Sequence, residues 1–477
     1  MNYIFPSLMK PTVLVLGDVM VDHGIHGTCA KIANEGPIPV LHQHSESYSL
    51  GGAANVAANV ASMGANVYLG AVIGKDYGAK KLLELTNAHN ITFCGVQDES
   101  VTTTVKHRGF AGNKLLFRYD DEAPLEKSHI SDTLLDNIGQ LIALGRIDSI
   151  IISDYNKGYC YEEFVSMVIS WAHEMNIPVI IDPKGDFGKY SCCTLLKPNF
   201  HEAQKECGLP LTPYDRSAVP DLMDKLSAKV ACPYICITLA SQGMALYDRE
   251  TRTITYYDTQ PVQVHDVTGA GDVVCATFGF LSALKTSNDI MAKAATFLAS
   301  RSVQHVGTHV CDRNDFWALH THLHPGKVIN LETLSMLPRD NCKIIFSNGC
   351  FDMLHASHVA SLTYAKSLGD ILIVGINSDE SIQRLKGHRR PIVPLDQRIK
   401  MLEALQCVDY IIPFDTDSPI DIVKYIKPDV MVKGQEYEGI PMRSSAHAGE
   451  TIFFPMQEGV STSRIIERVL DRYTPPF

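Results

Sequence analysis

Short apolar runs recur along the first half of the chain, at 12–17 (TVLVLG), 67–73, 148–153, 177–182, 194–196 and 234–239. Between most of them lie segments with helical spacing, among them ANVAANVASMGA, YEEFVSMVISWAHEMN and DLMDKLSAKV. Strand-length runs alternating with helices predict a doubly wound, mostly parallel α/β sheet. In such a sheet, ligands lie beyond the carboxyl ends of the strands. Residues 23–50 and about 91–120 break the rhythm, because polar, β-branched and aromatic positions alternate there (TFCGVQDESVTTTVKHRGF, KLLFRYD). That alternation predicts a small antiparallel layer standing off the main sheet, suited to a lid or a dimer contact. Around 322–341, Pro325, Gly326 and Pro338 punctuate polar residues, which divides the chain into domains of 1–325 and 326–477. Beyond the division a new series begins: KIIFS, a helix, ILIVGI, a helix at about 396–406, YIIPF, a helix at 419–426, VMVKG and TIFFP. It predicts a second, smaller α/β domain.

Composition narrows the function. At 45% hydrophobic and 20% charged residues, the chain is globular rather than disordered. No apolar run approaches the roughly 18 residues of a membrane span, and Gly17 and Asp18 interrupt the first run too early for a signal peptide. A cytoplasmic protein without a membrane partner is expected. The net charge of -11 argues against a nucleic-acid partner. Thirteen cysteines, an odd number, sit inside segments such as SCCTLL and YICITL with no Cys-x-x-Cys pair, and so read as thiols rather than disulfides or a zinc site.

Two glycine-rich stretches carry candidate chemistry in the first domain. HDVTGAGDVVCATFGFLSAL sets Gly269, Ala270 and Gly271 at the start of a helix, where free N–H groups and the dipole receive an anion. Asp272 follows, placed to take a proton from an acceptor hydroxyl during phosphoryl transfer. Alone, such a turn is most often only a helix cap. It is accompanied by SLGGAANVAANVASMG, where Gly51 and Gly52 permit close approach and Asn55 can meet a sugar hydroxyl.

Together these stretches resemble the paired signatures of the ribokinase-like sugar kinases. LGDVMVDHGIHG, NEGPIPV, LFRYDDE, ISDYNKG, IIDPKG, LLKPNFHEA and ITLASQGM are similar, in the same order, to segments of the heptose-phosphate kinase branch. The resemblance implies that Asp18 and Asn55 bind sugar hydroxyls, and that Arg118, Lys157 and Lys184 meet phosphate. It also implies that Asn199 and Glu202 act near the triphosphate and a magnesium ion, held near Glu202 through water. Thr296, in AATFLAS, stands where the family has an asparagine near the base of ATP.

In the second domain, NGCFDMLHASHVASL places His355 and His358 three residues apart at a strand-to-helix turn. They can share a helix face, which leaves metal ligation, a catalytic role or core packing open. No third ligand follows at a recognisable spacing. The stretch resembles the His-x-Gly-His signature of the cytidylyltransferase-like nucleotidyltransferases, as do VGINSDES, RLKGHRRPIVPLDQRIKMLEAL, VKGQEY and EGVSTSRIIERV further on. By that resemblance His355 and His358 stabilise an α-phosphate under attack, and Arg398 contacts substrate. Asn348, Gly349, Phe351, Lys433, Ser461, Thr462 and Ser463 then line the nucleotide phosphates. Ser357 occupies the family's glycine position.

A ribokinase-like doubly wound sheet with a small β lid, followed by a smaller Rossmann-like nucleotidyltransferase domain, resembles the bifunctional heptose 7-phosphate kinase/heptose 1-phosphate adenylyltransferase family. The implied partners are sugar phosphates and ATP with Mg2+, and the implied assembly is a homodimer through the lid. Pocket-lining residues rather than phosphate motifs set the sugar, so a kinase/transferase for another surface glycan carries the same motifs. A kinase with an impaired transferase, or a non-catalytic sensor, is the other reading.

Overall fold

Val13, Leu14, Val15, Leu16, Ile150, Ile151 and Ile152 are all fully buried. Strands covered on both faces read as continuous apolar runs, which is why these segments lack alternation. The computed structural model describes residues 10–112, 114–126, 132–323, 326–330, 342–455 and 462–473. It separates into two compact units, one running to Leu319 and one from His320.

The first unit holds a nine-stranded sheet in the order Thr253–Tyr257, Met244–Asp248, Tyr234–Thr238, Leu195–Leu196, Val179–Asp182, Ser149–Ser153, Thr12–Gly17, Asn66–Gly70, Ile91–Phe93. Pairing is parallel except on either side of Met244–Asp248. The strand order reverses at Thr12–Gly17, which lies between Ser149–Ser153 and Asn66–Gly70. A crevice opens at such a reversal, and here it is bordered by Asp18 and the loop 154–158. The helices Ala53–Ser62 and Ala270–Ala283 pack against each other, and both point their first turns toward the carboxyl ends of the strands.

The lid is a four-stranded sheet ordered Pro39–Gly52, Val19–Ile32, Val105–Ala111, Lys114–Asp121. It corrects the expected antiparallel layer in two respects. Val19–Ile32 and Val105–Ala111 pair in parallel, with Asp22 opposite Lys106, because the chain between them crosses through the main sheet. Ile91–Phe93, expected in the lid, instead extends the main sheet.

The second unit is a parallel five-stranded sheet ordered Tyr410–Phe414, Ile371–Asn377, Ile344–Gly349, Val430–Gly434, Glu450–Phe454. Its strand order reverses between Ile344–Gly349 and Val430–Gly434. The carboxyl ends of those two strands carry Asn348, Gly349 and Lys433. No described helix is long and apolar enough to cross a membrane.

Candidate active sites

In the first unit Gly269 caps the helix Ala270–Ala283 in the left-handed region (φ 80°), and no side chain caps its first turn. The Ala270 N–H reaches only the Val267 carbonyl, at a long 3.4 Å that a ligand can replace. Asp272 is 3% exposed and accepts from Asn55 Nδ2 at 2.7 Å and Tyr155 Oη at 2.7 Å, one bond on each carboxylate oxygen. Burial raises its pKa above the ordinary value, and the bonds from Asn55 and Tyr155 hold it back down. A carboxylate made more basic in this way is suited to take a proton. Gly52 supports the arrangement: at φ +58° a Cβ there would lie 2.4 Å from the Asp18 carbonyl oxygen.

Asp18, expected at a sugar hydroxyl, has its carboxylate engaged by the neighbouring loop. It is buried, and its carboxylate accepts the backbone N–H groups of Tyr155 (2.8 Å), Lys157 (3.1 Å) and Tyr159 (3.3 Å). It holds the loop that delivers Tyr155 to Asp272. Burial, and then the neighbouring Asp154, push its pKa up to about 6.

Lys184 pairs with Glu202, and Glu202 with Asn199 forms a reciprocal capping box at the start of the helix Phe200–Glu206. Beside them is an ion pair that the sequence reading missed. The buried Lys197 Nζ lies 2.9 Å from the half-buried Asp182, and a Cβ on Gly271 would be 3.5 Å from that Nζ. A charged residue ending an otherwise apolar strand, as in VIID and TLLK, was the available signal.

The lid has two chemically different faces, because side chains alternate along a strand. His107 and Tyr119 stack at 4.2 Å on one face, with His23 stacked on Tyr48. The other face carries Asp22, Lys106, Arg108, Arg118 and Asp120. Arg108 pairs with Asp22, Arg118 forms two bonds to Asp120, and Arg108 and Arg118 stand directly opposite each other. Like charges so placed repel unless an anion lies between them. The ammonium of Lys106 sits 5.8 Å from the Tyr155 ring centre, so this charged face looks onto the Asp272 site. Lys106 and Arg108 were missed, although their two-residue spacing in VKHRG marks a common face. Lys157 extends the cluster and pairs with Glu122 at 2.6 Å. Thr296 is buried, and its hydroxyl donates to the Ala292 carbonyl, so it presents no amide to a base.

In the second unit His355 caps the helix Ala356–Ser367, again without a side-chain cap bond. The His355 and His358 rings stack at 3.8 Å, and the Phe351 ring meets His358 edge-on at 5.3 Å. Three buried polar atoms here lack a hydrogen-bond partner among the described residues: Asn348 Oδ1, His355 Nδ1 and His358 Nδ1. Buried orphans so close together mark a place where a ligand completes the bonding. Burial, followed by the neighbouring His355, lowers the His358 pKa to about 4, and burial lowers that of His355. Both imidazoles are neutral donors at pH 7. Phe351 and Met353 have φ of 46° and 65°, a strained left-handed backbone beside the histidines. Asp352, also missed, anchors that loop by accepting from Arg390 (2.6 Å) and the N–H groups of Ile392 and Val393. Lys433 is buried, and burial lowers its pKa to about 8. Ser357 is half-buried in the helix's first turn.

Arg398 corrects the solvated charge considered for it, and its donors are engaged within the protein. It is 0% exposed and donates to the carbonyls of Val393, Cys350 and Asn377 and to Asp379 Oδ1. Its guanidinium is an internal brace behind the histidine loop. Ser461 and the side chains of Thr462 and Ser463 lie outside the described residues. All thirteen cysteines are free thiols.

The pfkB family carbohydrate kinase family matches residues 10–315, and the Cytidylyltransferase-like family matches residues 346–468. The bifunctional protein HldE of Helicobacter hepaticus is 37% identical over 476 residues, covering 96% of this chain and 97% of that protein. The bifunctional protein HldE of Sulfurimonas denitrificans is 35% identical at the same coverages. Among solved structures, phosphofructokinase-2 from Escherichia coli in complex with potassium is similar in fold, with TM-score 0.52 and 20% identity over 66% of this chain and 99% of that one. Arabidopsis thaliana ribokinase complexed with ribose and ATP has TM-score 0.52 and 18% identity over 65% and 99%.

Proposed function

Because the chain belongs to the bifunctional HldE family, we propose that its two uncapped helix starts are the two reaction centres of one biosynthetic route. The protein is a bifunctional enzyme of ADP-heptose biosynthesis, a sugar-phosphate kinase joined to an adenylyltransferase. The first unit phosphorylates the anomeric hydroxyl of heptose 7-phosphate with ATP. The second transfers AMP from ATP to heptose 1-phosphate and releases pyrophosphate. Removal of the 7-phosphate between the two steps falls to a separate phosphatase.

In the kinase, Asp272 is the base, and the N–H groups of Gly269, Ala270 and Gly271 receive the transferring phosphoryl group. The acceptor hydroxyl takes the place of one of the two donors now on the Asp272 carboxylate, so that its proton passes to Asp272. Lys106, Arg108 and Arg118 hold the 7-phosphate on the charged lid face, with Lys157 beside them. The carboxylates of Glu202 and Asp182 are oxygen donors of the kind a hard cation selects, so the residues present fit Mg2+. When bound there with nucleotide, that ion offsets phosphate charge. Asn199 and Lys184 orient Glu202.

In the transferase, the neutral His355 and His358 donate hydrogen bonds to the α-phosphate as charge gathers on it. Lys433 and the first turn of the helix Ala356–Ser367 receive the remaining phosphate oxygens, and Arg398 keeps the loop 350–354 in place. The single observation that carries this reading is the set of orphaned polar atoms around the stacked histidine pair, matched in the other unit by Asp272 behind its open anion-receiving turn. We place the protein in the cytoplasm, where ATP and sugar phosphates occur. We also place a homodimer contact on the lid, where Ile32, Ile38, Leu115 and Phe117 are exposed.

Phosphorus NMR with Mg2+ and ATP tests both centres, run once with heptose 7-phosphate and once with heptose 1-phosphate. Asp272→Asn is expected to abolish the bisphosphate and spare the sugar nucleotide, and His355→Ala to do the reverse. Loss of both products in either variant, or of neither, overturns the assignment.

A further inference from the structure

A second cluster of ligating side chains spans the turn after the helix Asn288–Ser302 and the first turn of the helix Arg313–Leu323, and neither reaction uses it. His305 is exposed, His309 half-buried and Asp315 buried. The two imidazoles stack with ring centres 3.8 Å apart and planes 3° apart, and His309 Nε2 lies 2.7 Å from Asp315 Oδ2. One donor atom from each residue falls within 4.8 Å of the other two, the one such three-residue group among the described residues.

We propose that His305, His309 and Asp315 form a binding site for a divalent transition ion of the zinc type, distinct from the magnesium that accompanies nucleotide. Two imidazoles and a carboxylate are a donor set that Zn2+ accepts in tetrahedral geometry with a fourth position left to water. Metal–ligand bonds of about 2.0–2.2 Å put tetrahedral donors roughly 3.4 Å apart. Closing from the present spacing therefore needs about 1–1.5 Å of movement and a turn of the His305 ring out of its stack, since the lone pairs of parallel rings do not converge; the exposed His305 side chain can supply both. The ion takes the place of the hydrogen between His309 Nε2 and Asp315, and neutral His309 keeps its single N–H proton by carrying it on Nδ1 instead.

The carboxylate is already prepared for this role. It is buried, and His309 Nε2 already reaches its Oδ2. Arg301 Nε at 2.9 Å and the Asp312 N–H at 3.0 Å also fix its orientation, as outer partners do in metal sites. Imidazole ligands favour the later first-row ions over Mg2+. The turn is tied to the kinase centre as well. The Gly307 N–H donates to Asp266, which also binds Thr268 just before Gly269, and Asn59 bridges the His309 carbonyl and the Cys311 N–H.

The test is Co2+ titration of the full chain, followed by visible absorption, with Zn2+ competition against a chromophoric chelator. The wild type is expected to bind one ion per chain with a tetrahedral nitrogen/oxygen spectrum. His305→Ala and His309→Ala are each expected to weaken it at least about tenfold, the scale of losing one metal partner. A His355→Ala/His358→Ala variant is expected to keep it. Kinase turnover with Mg2+ and ATP in His305→Ala shows that the unit is folded. Unchanged binding in both His305→Ala and His309→Ala, loss of the ion in the His355/His358 variant instead, or a thiolate charge-transfer band each overturns the proposal.

Discussion

Replacing Arg398 by methionine separates two accounts of the second unit. As a substrate contact, the arginine would matter for KM. As a buried brace, it matters for folding, because its loss leaves the carbonyls of Val393, Cys350 and Asn377 and the Asp379 carboxylate without their donor. The three abandoned carbonyls cost about 1 kcal/mol each, and the bond to the third-exposed Asp379 adds a screened contribution of about 1 kcal/mol, for about 4 kcal/mol together. With a urea slope of about 2 kcal/mol per molar, the unfolding midpoint of that unit falls by about 2 M. The molecule provides its own assay. Both tryptophans, Trp171 and Trp317, belong to the first unit. Tryptophan fluorescence therefore follows the kinase unit alone, while far-ultraviolet circular dichroism follows both. Arg398→Met is expected to lower the dichroism transition of the second unit and leave the fluorescence transition where it was. Arg398→Lys recovers little, since one ammonium cannot reach four separated acceptors. An unchanged urea profile together with a raised KM for the sugar 1-phosphate would refute the brace.

Arg108→Gln removes one of two opposed guanidinium groups on the charged lid face and is expected to raise the kinase KM for the sugar 7-phosphate by about 10- to 100-fold. Initial rates should show the KM for ATP unaffected. Tyr155→Phe takes away a bond that lowers the Asp272 pKa. The acidic limb of the kinase kcat/KM profile should therefore move to higher pH, and an unmoved limb would count against Asp272 as the base. His358 has its pKa lowered from 6.5 to about 4 in the folded protein. Between those values the unfolded chain binds the extra proton, so stability is complete above pH 6.5 and is lost as pH falls toward 4. The full loss is about 3 kcal/mol. Urea midpoints of wild type and His358→Asn, measured across that window, should differ in slope by up to one proton.

The order of strands and helices was legible along the chain, because a strand buried on both faces must be an apolar run and a helix between strands must show its own period. Asp272, His355 and His358 were legible for a related reason: phosphate chemistry needs glycine-permitted turns at helix starts, and those are contiguous in sequence. What only the tertiary structure decided depends on residues distant in the chain. Arg398 lies on a helix whose polar spacing looks solvent-facing, and only the fold closes the loops at 350, 377 and 393 around it. Asp18 reads as a free acid after a strand until the loop at 155–159 folds onto its carboxylate. The lid's parallel central pair joins residues some eighty positions apart and brings Asp22 to Arg108 and Lys106, while the neighbouring antiparallel register sets Arg118 opposite Arg108. Local pattern records what each residue can do, while burial and long-range pairing determine which of those capacities remains available.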